Sequence, residues 1–137
     1  MNRAPSLTLT LLLLGAGCQL PAERMPPRLL PEDGPPLPYA ELLTRARLQA
    51  TAATEAFYVN KWSDLDEAAA GLAQTARFLE KATDVPARHK DTLPIAAGDL
   101  GKDAAALREA AKAQDVKKAG EVLQRIHLKI RELRLEG

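Results

Sequence analysis

The sequence predicts an all-α protein, an antiparallel up-down-up-down four-helix bundle over residues 39–137. Three observations carry this. From Tyr39 onward, apolar residues recur in steps of four and three, which is the seam of a packed helix. The period-two alternation of a half-buried strand is absent. Aromatics make up only 4% of the chain and alanine is abundant, a composition suited to close-packed helices rather than a sheet. The turns between the helical segments are short, so sequence neighbours must run antiparallel. A chain of 137 residues holds one domain. No internal repeat is evident along it.

The first helix carries Tyr39, Leu43, Ala46, Ala50, Ala53 and Phe57 on its seam. The pattern breaks at Lys61 and Trp62. Ser63 is then expected to cap the second helix, with Asp66 as its capping-box partner. That helix carries Leu65, Ala69, Leu72, Ala76 and Leu79 and ends near Pro86. The third carries Leu93, Ala97, Leu100, Ala104, Leu107 and Ala111. Pro94 should kink it or break its first turns, and Gly98 and Gly101 weaken the same region. Asp115 is the expected N-cap of the fourth helix, whose seam reads Val116, Ala119, Leu123, Ile126, Ile130 and Leu133. Its end is basic (Lys129, Arg131, Arg134), which complements the helix dipole. Tyr58 and Trp62 are expected to form a small hydrophobic cap on one end of the bundle.

Ahead of the helices lie two segments of other character. Residues 1–17 have one positive charge, Arg3, a short apolar run over residues 7–14, and small residues up to Cys18. This is the layout of a secretory signal peptide. The run is too short to span a bilayer, which takes ~20 apolar residues. Residues 18–38 follow as a spacer, and residues 19–38 hold seven of the ten prolines. No helix or central strand accommodates that density, so an extended spacer is expected. A proline-rich recognition ligand is the alternative.

Cys18 is the sole cysteine, so no intramolecular disulfide can form. The stretch Leu14-Gly15-Ala16-Gly17-Cys18 resembles a bacterial lipobox. It departs from the usual pattern in holding Gly15, not a leucine, three places before the cysteine. The resemblance implies lipidation at Cys18. It also implies an exported lipoprotein on the bacterial cell envelope, anchored to a membrane, with its bundle in the periplasm or at the cell surface. The alternative is a signal peptide cleaved nearby, with Cys18 left free. Loss of residues 1–17 leaves 18 basic and 18 acidic residues. A neutral chain argues against nucleic acid as a partner and against strong electrostatic attachment to membranes.

The catalytic inventory is thin. The chain has two histidines, no glycine-rich phosphate loop, no His-Glu-x-x-His and no Glu-x-x-His pair, so hydrolase, kinase, redox-thiol and di-iron chemistry all lack parts. The expectation is a non-enzyme without a cofactor, in a structural or protein-binding role with an envelope partner.

One stretch qualifies this. In the last helix, residues 123–131 read Leu-Gln-Arg-Ile-His-Leu-Lys-Ile-Arg. The spacing resembles the C-terminal helix of the cytochrome c-prime family, four-helix bundles that carry Cys-x-x-Cys-His there. The two cysteines fall on Leu123 and Ile126, and the haem-binding histidine on His127. The resemblance implies a four-helix bundle over residues 39–135 and, in the family, a covalent haem. Leucine and isoleucine cannot form thioethers, so covalent attachment is excluded, and both suit a filled core. The alternative is a non-covalent haem b with His127 as its only axial ligand, in electron transfer or metal handling, because Met1 and Met25 both precede the bundle. A copper or zinc site is a weaker alternative and would need His89 beside His127 together with acids such as Asp91 or Glu132. The leading expectation makes His127 an ordinary helix-face residue and His89 a partly exposed residue at a helix start.

Overall fold

A computed structural model describes residues 26–135. The signal segment 1–17 and Cys18 lie outside the described residues. Four α-helices make up the fold: α1 (Tyr39–Tyr58), α2 (Trp62–Leu79), α3 (Leu93–Ala113) and α4 (Val116–Glu132), with a short 3₁₀ turn at Ala87–His89. No strand occurs among the described residues. No helix among them is long and apolar enough to cross a membrane.

The seams form as the sequence spacing predicts. Tyr39, Leu43, Leu65, Leu72, Leu79, Leu100, Leu107 and Ile126 are almost wholly buried, and they share one apolar core with the alanines of α1, α2 and α3. Each large apolar side chain removed from water contributes about 1.5–3 kcal/mol. The alanines between them let the helix backbones approach closely. Val116 is the exception on α4. It is 57% exposed, because it is the first residue of the helix and precedes Gly120, where α4 meets Phe57 of α1. Tyr58 is also exposed and so does not cap the helices. Trp62 packs there, edge-on to Phe57 with ring centroids 6.3 Å apart, and Tyr58 meets the same ring edge-on at 5.6 Å from its exposed position.

The helix ends follow local chemistry, with two departures from expectation. Helix α2 begins at Trp62 with Lys61 as its N-cap, so Ser63 already lies inside the first turn and caps nothing. Asp66, free of a capping role, accepts from Arg108 of α3 at 2.9 Å. Pro94 does not kink α3, because the helix starts only at Leu93 and places Pro94 in the first turn, where its missing N–H has no partner to lose. The α3–α4 turn is as expected. Gln114 takes a left-handed φ of 52° to end α3, and the Asp115 carboxylate accepts from the Lys118 N–H at 3.0 Å.

Buried polar groups tie the helices in register. Thr75 of α2 donates to Gln49 Oε1 of α1 at 2.8 Å, with both side chains buried. Gly71 makes room for that amide: a Cβ there would stand 2.8 Å from Gln49 Nε2, closer than packed atoms tolerate. At the far end of α4, Tyr39 donates its hydroxyl to the Leu133 carbonyl. His89 stacks on Tyr39 with centroids 5.8 Å apart and donates from Nε2 to the Arg134 carbonyl at 2.9 Å, joined there by Arg88. The last carbonyls of a helix have no partner within it, and these three side chains supply partners. His89 is therefore buried and structural, not partly exposed as the sequence suggested.

The described part of the proline-rich segment holds no helix, as its composition requires, and turns once at residues 31–34, but it is no free spacer. The Leu30 N–H donates to Gln74 Oε1 at 2.7 Å, and Gln74 Nε2 returns a bond to the Leu30 carbonyl at 2.7 Å. Arg77 reaches Glu32 at 2.8 Å. Leu30 and Leu37 rest on the core, and the Thr83 N–H donates to the Leu37 carbonyl at 3.0 Å. Residues 30–38 thus form a strap bonded to α2 and to the turn that follows it.

Candidate functional site

The site with the most chemistry lies between α1 and α4, around His127. Two stripes of residues build it. On α1, Arg47, Thr51, Thr54 and Tyr58 follow one another by four, three and four, so they share one helix face. On α4, Gly120, Gln124, His127 and Arg131 do the same, and Arg134 follows just past the end of the helix. Both stripes lie beside the buried seams and line a cleft in two adjoining parts, with His127 and Arg131 common to both.

The two parts differ in character. The first, about 500 Å³, is walled by Phe57, Tyr58, Leu123 and Leu128. Gly120 opens it, because the nearest atom to a Cβ there would be Phe57 Cζ at 3.6 Å. The second, about 580 Å³, is lined by Arg47, Arg131 and Arg134 with Thr51. No carboxylate lines either part. Elsewhere Arg77 pairs with Glu32, Arg108 with Asp66 and Arg125 with Asp103, while Arg45 and Arg88 donate to backbone carbonyls. Among the described residues, Arg47, Arg131 and Arg134 pair with none.

His127 is exposed, and its Nε2 lies 2.8 Å from the Thr54 hydroxyl. That hydroxyl donates its single hydrogen to the Ala50 carbonyl at 2.9 Å, so toward His127 it accepts. Nε2 therefore carries the ring hydrogen and Nδ1 the lone pair. A nitrogen that carries hydrogen cannot bind a metal, so ligation through Nε2 would first require the Thr54 bond to break. Leu123 and Ile126, at the positions of the family's cysteines, are buried in the core.

The structure does not bring His89 and His127 together. His89 serves the carbonyl of Arg134, whereas His127 lies seven residues earlier on α4, about 10 Å along the helix axis. Among the described residues, no group of three His, Cys, Asp or Glu side chains converges as a metal site. Cys18, the candidate lipidation residue, lies outside the described residues.

Sequence reasoning found His127 and noted Arg131 after it, but missed Arg47, Thr54 and Arg134. The signal was present as the two polar stripes one position off the seams. Only the juxtaposition of α1 and α4 turns them into one site. No family model matches the chain, no curated protein is similar to it, and no solved structure is similar to it.

Proposed function

We propose that this chain is a non-enzymatic, lipid-anchored protein of the bacterial envelope that binds or holds a partner through the α1–α4 cleft. The observation that carries this reading is the cleft itself: open, with Phe57, Tyr58 and Leu128 at one end, and lined at the other by arginines that form no ion pair among the described residues. Gln49 Oε1, Gln74, Thr75 and His89 are engaged in holding helices, ends and strap together, and Gln49 Nε2 is buried without a partner. Anchoring rests on the lipobox-like stretch ending at Cys18.

The helices form an up-down-up-down antiparallel bundle in this reading. Residue pairs that ascend one helix while descending its neighbour support it. Between α1 and α2 these are Gln49–Thr75 and Tyr39–Thr83. Between α2 and α3 they are Asp66–Arg108 and Ala76–Gly101. Asp103–Arg125 and Asp99–Lys129 join α3 to α4, and Phe57–Gly120 and Thr54–His127 join α1 to α4. The likeness to cytochrome c-prime proteins is one of architecture, with Leu123 and Ile126 used for packing and His127 used to position the cleft.

Two measurements test this. In a bacterial host fed labelled palmitate, the full chain should take up label and fractionate with membranes, and Cys18→Ser should abolish both. Haemin titrated into the purified protein should give no saturable Soret band that His127→Ala removes. A one-to-one band lost in that variant would replace this reading with a haem b protein.

A further inference from the structure

The cleft is polarised along its length, and that polarity specifies a ligand. The α1 positions that line it run from Arg47 to Tyr58, about 16 Å of helix. One end offers Phe57 and Leu128, the other Arg47 and Arg134, and Arg131 lies where the two parts join. Arginine side chains without acid partners favour carboxylate or phosphate, which their planar fork binds through two hydrogen bonds. The apolar end favours hydrocarbon. Each part lies within the range of small-molecule pockets, about 300–1,000 Å³.

We infer that the α1–α4 cleft binds a single-chain anionic amphiphile, an alkyl chain that ends in a carboxylate or phosphate. Its head lies among Arg47, Arg131 and Arg134, and its chain runs past His127 toward Phe57 and Leu128. A second copy of this chain fits less well, because two such clefts face to face bring arginine against arginine. An acidic helical peptide would spread its carboxylates along the whole groove, whereas Arg47 and Arg134 line only one part of it and Arg131 stands where the two parts join. The inference deepens the binding role proposed above and rests on it only for the choice of cleft. Anchoring at Cys18 is tested separately by palmitate labelling, so either can fail alone.

Trp62 is the only tryptophan, and it touches Phe57 on the cleft wall, so its fluorescence reports occupancy. The experiment titrates the purified full chain carrying Cys18→Ser, which cannot be lipidated. The probes are dodecanoate, dodecyl phosphate, dodecyl maltoside and acetate, each below its micelle-forming concentration. At least one dodecyl anion should bind saturably, one per chain, with a change in Trp62 emission and in calorimetric heat. Which anion binds identifies the head group as carboxylate or phosphate. Dodecyl maltoside and acetate should not bind. Arg131→Gln and Arg134→Gln, both at exposed positions, should keep the helical circular dichroism and weaken binding about tenfold each. Arg131→Lys should recover part of the loss. The inference is overturned if no dodecyl anion binds, if the maltoside binds as well as the anions, or if the arginine variants bind like the parent.

Discussion

Helix α1 has two flanks, and they are built for different ends. Toward α2, glycine and alanine bring the backbones together, a buried Gln49–Thr75 bond sets the register, and the proline-rich strap bonds to α2 through Gln74. Toward α4, the polar link is the exposed Thr54–His127 contact. At Gly120 a Cβ would meet Phe57 at an ordinary contact distance of 3.6 Å, whereas at Gly71 on the other flank it would strike Gln49. Both flanks use a glycine and a side-chain bond. On one side the glycine admits a buried amide, and on the other it widens a cleft. The lesson is that small residues close a seam only when something fills the room they leave.

The largest effect expected from disturbing this contrast is on the strap. Gln74→Ala removes both bonds to Leu30 and the one to Glu32. At about 1 kcal/mol per bond, stability should fall by roughly 2–3 kcal/mol in urea unfolding. Limited proteolysis should then cut within residues 28–36 first. Resistance equal to the parent's would mean that the strap is held by Leu30 and Leu37 packing alone.

Tyr39→Phe comes next. It removes the bond to the Leu133 carbonyl at a cost of about 1 kcal/mol, or roughly 4–8 °C in the melting temperature. It also changes the pH profile. Burial raises the Tyr39 hydroxyl above its ordinary range, against a smaller opposing pull from Arg88 and Arg47. The folded state therefore holds this proton more tightly than the unfolded chain does. Its contribution is full below the unfolded value of about 10 and is lost as pH rises through the folded one. Above about pH 10, melting curves of the parent should fall more steeply than those of Tyr39→Phe. Parallel curves would place the alkaline loss elsewhere.

His127→Ala should have the smallest effect on stability. The side chain is exposed, its bond to Thr54 can be replaced by water, and alanine is a better helix former. A change within about 0.5 kcal/mol is expected on chemical denaturation. A loss several times larger would make Thr54–His127 a structural tie and close the contrast between the flanks.

Much of this fold is legible in the sequence, because the apolar steps of four and three that mark the seams are local. Leu65, Leu72, Leu100 and Ile126 are buried as their spacing requires, and Asp115 caps as its position requires. What escapes depends on partners distant in sequence. Ser63 has the chemistry of a cap, but the helix starts two residues too early to use it. His89 reads as a partly exposed helix-start residue until the end of α4 is brought to it. The prolines forbid regular structure over residues 19–38, yet they do not forbid docking, and Gln74 supplies the bonds from 44 residues away. The cleft is half legible: its stripes are periodic, but that no carboxylate among the described residues lines it shows only once α1 and α4 meet.

The contrast between the flanks is tested most directly by one substitution made twice. Gly71→Ala and Gly120→Ala each gain about 1 kcal/mol in helix propensity. At Gly71 the new methyl strikes the buried Gln49 amide, and overpacking of this kind costs about 1–3 kcal/mol. At Gly120 the nearest neighbour is at ordinary contact distance. Urea unfolding of the two variants against the parent should give shifts of opposite sign, with Gly71→Ala less stable and Gly120→Ala more stable. Shifts of the same sign, or a more stable Gly71→Ala, would show that the two flanks of α1 are packed alike and would remove the structural basis for an open cleft at α4.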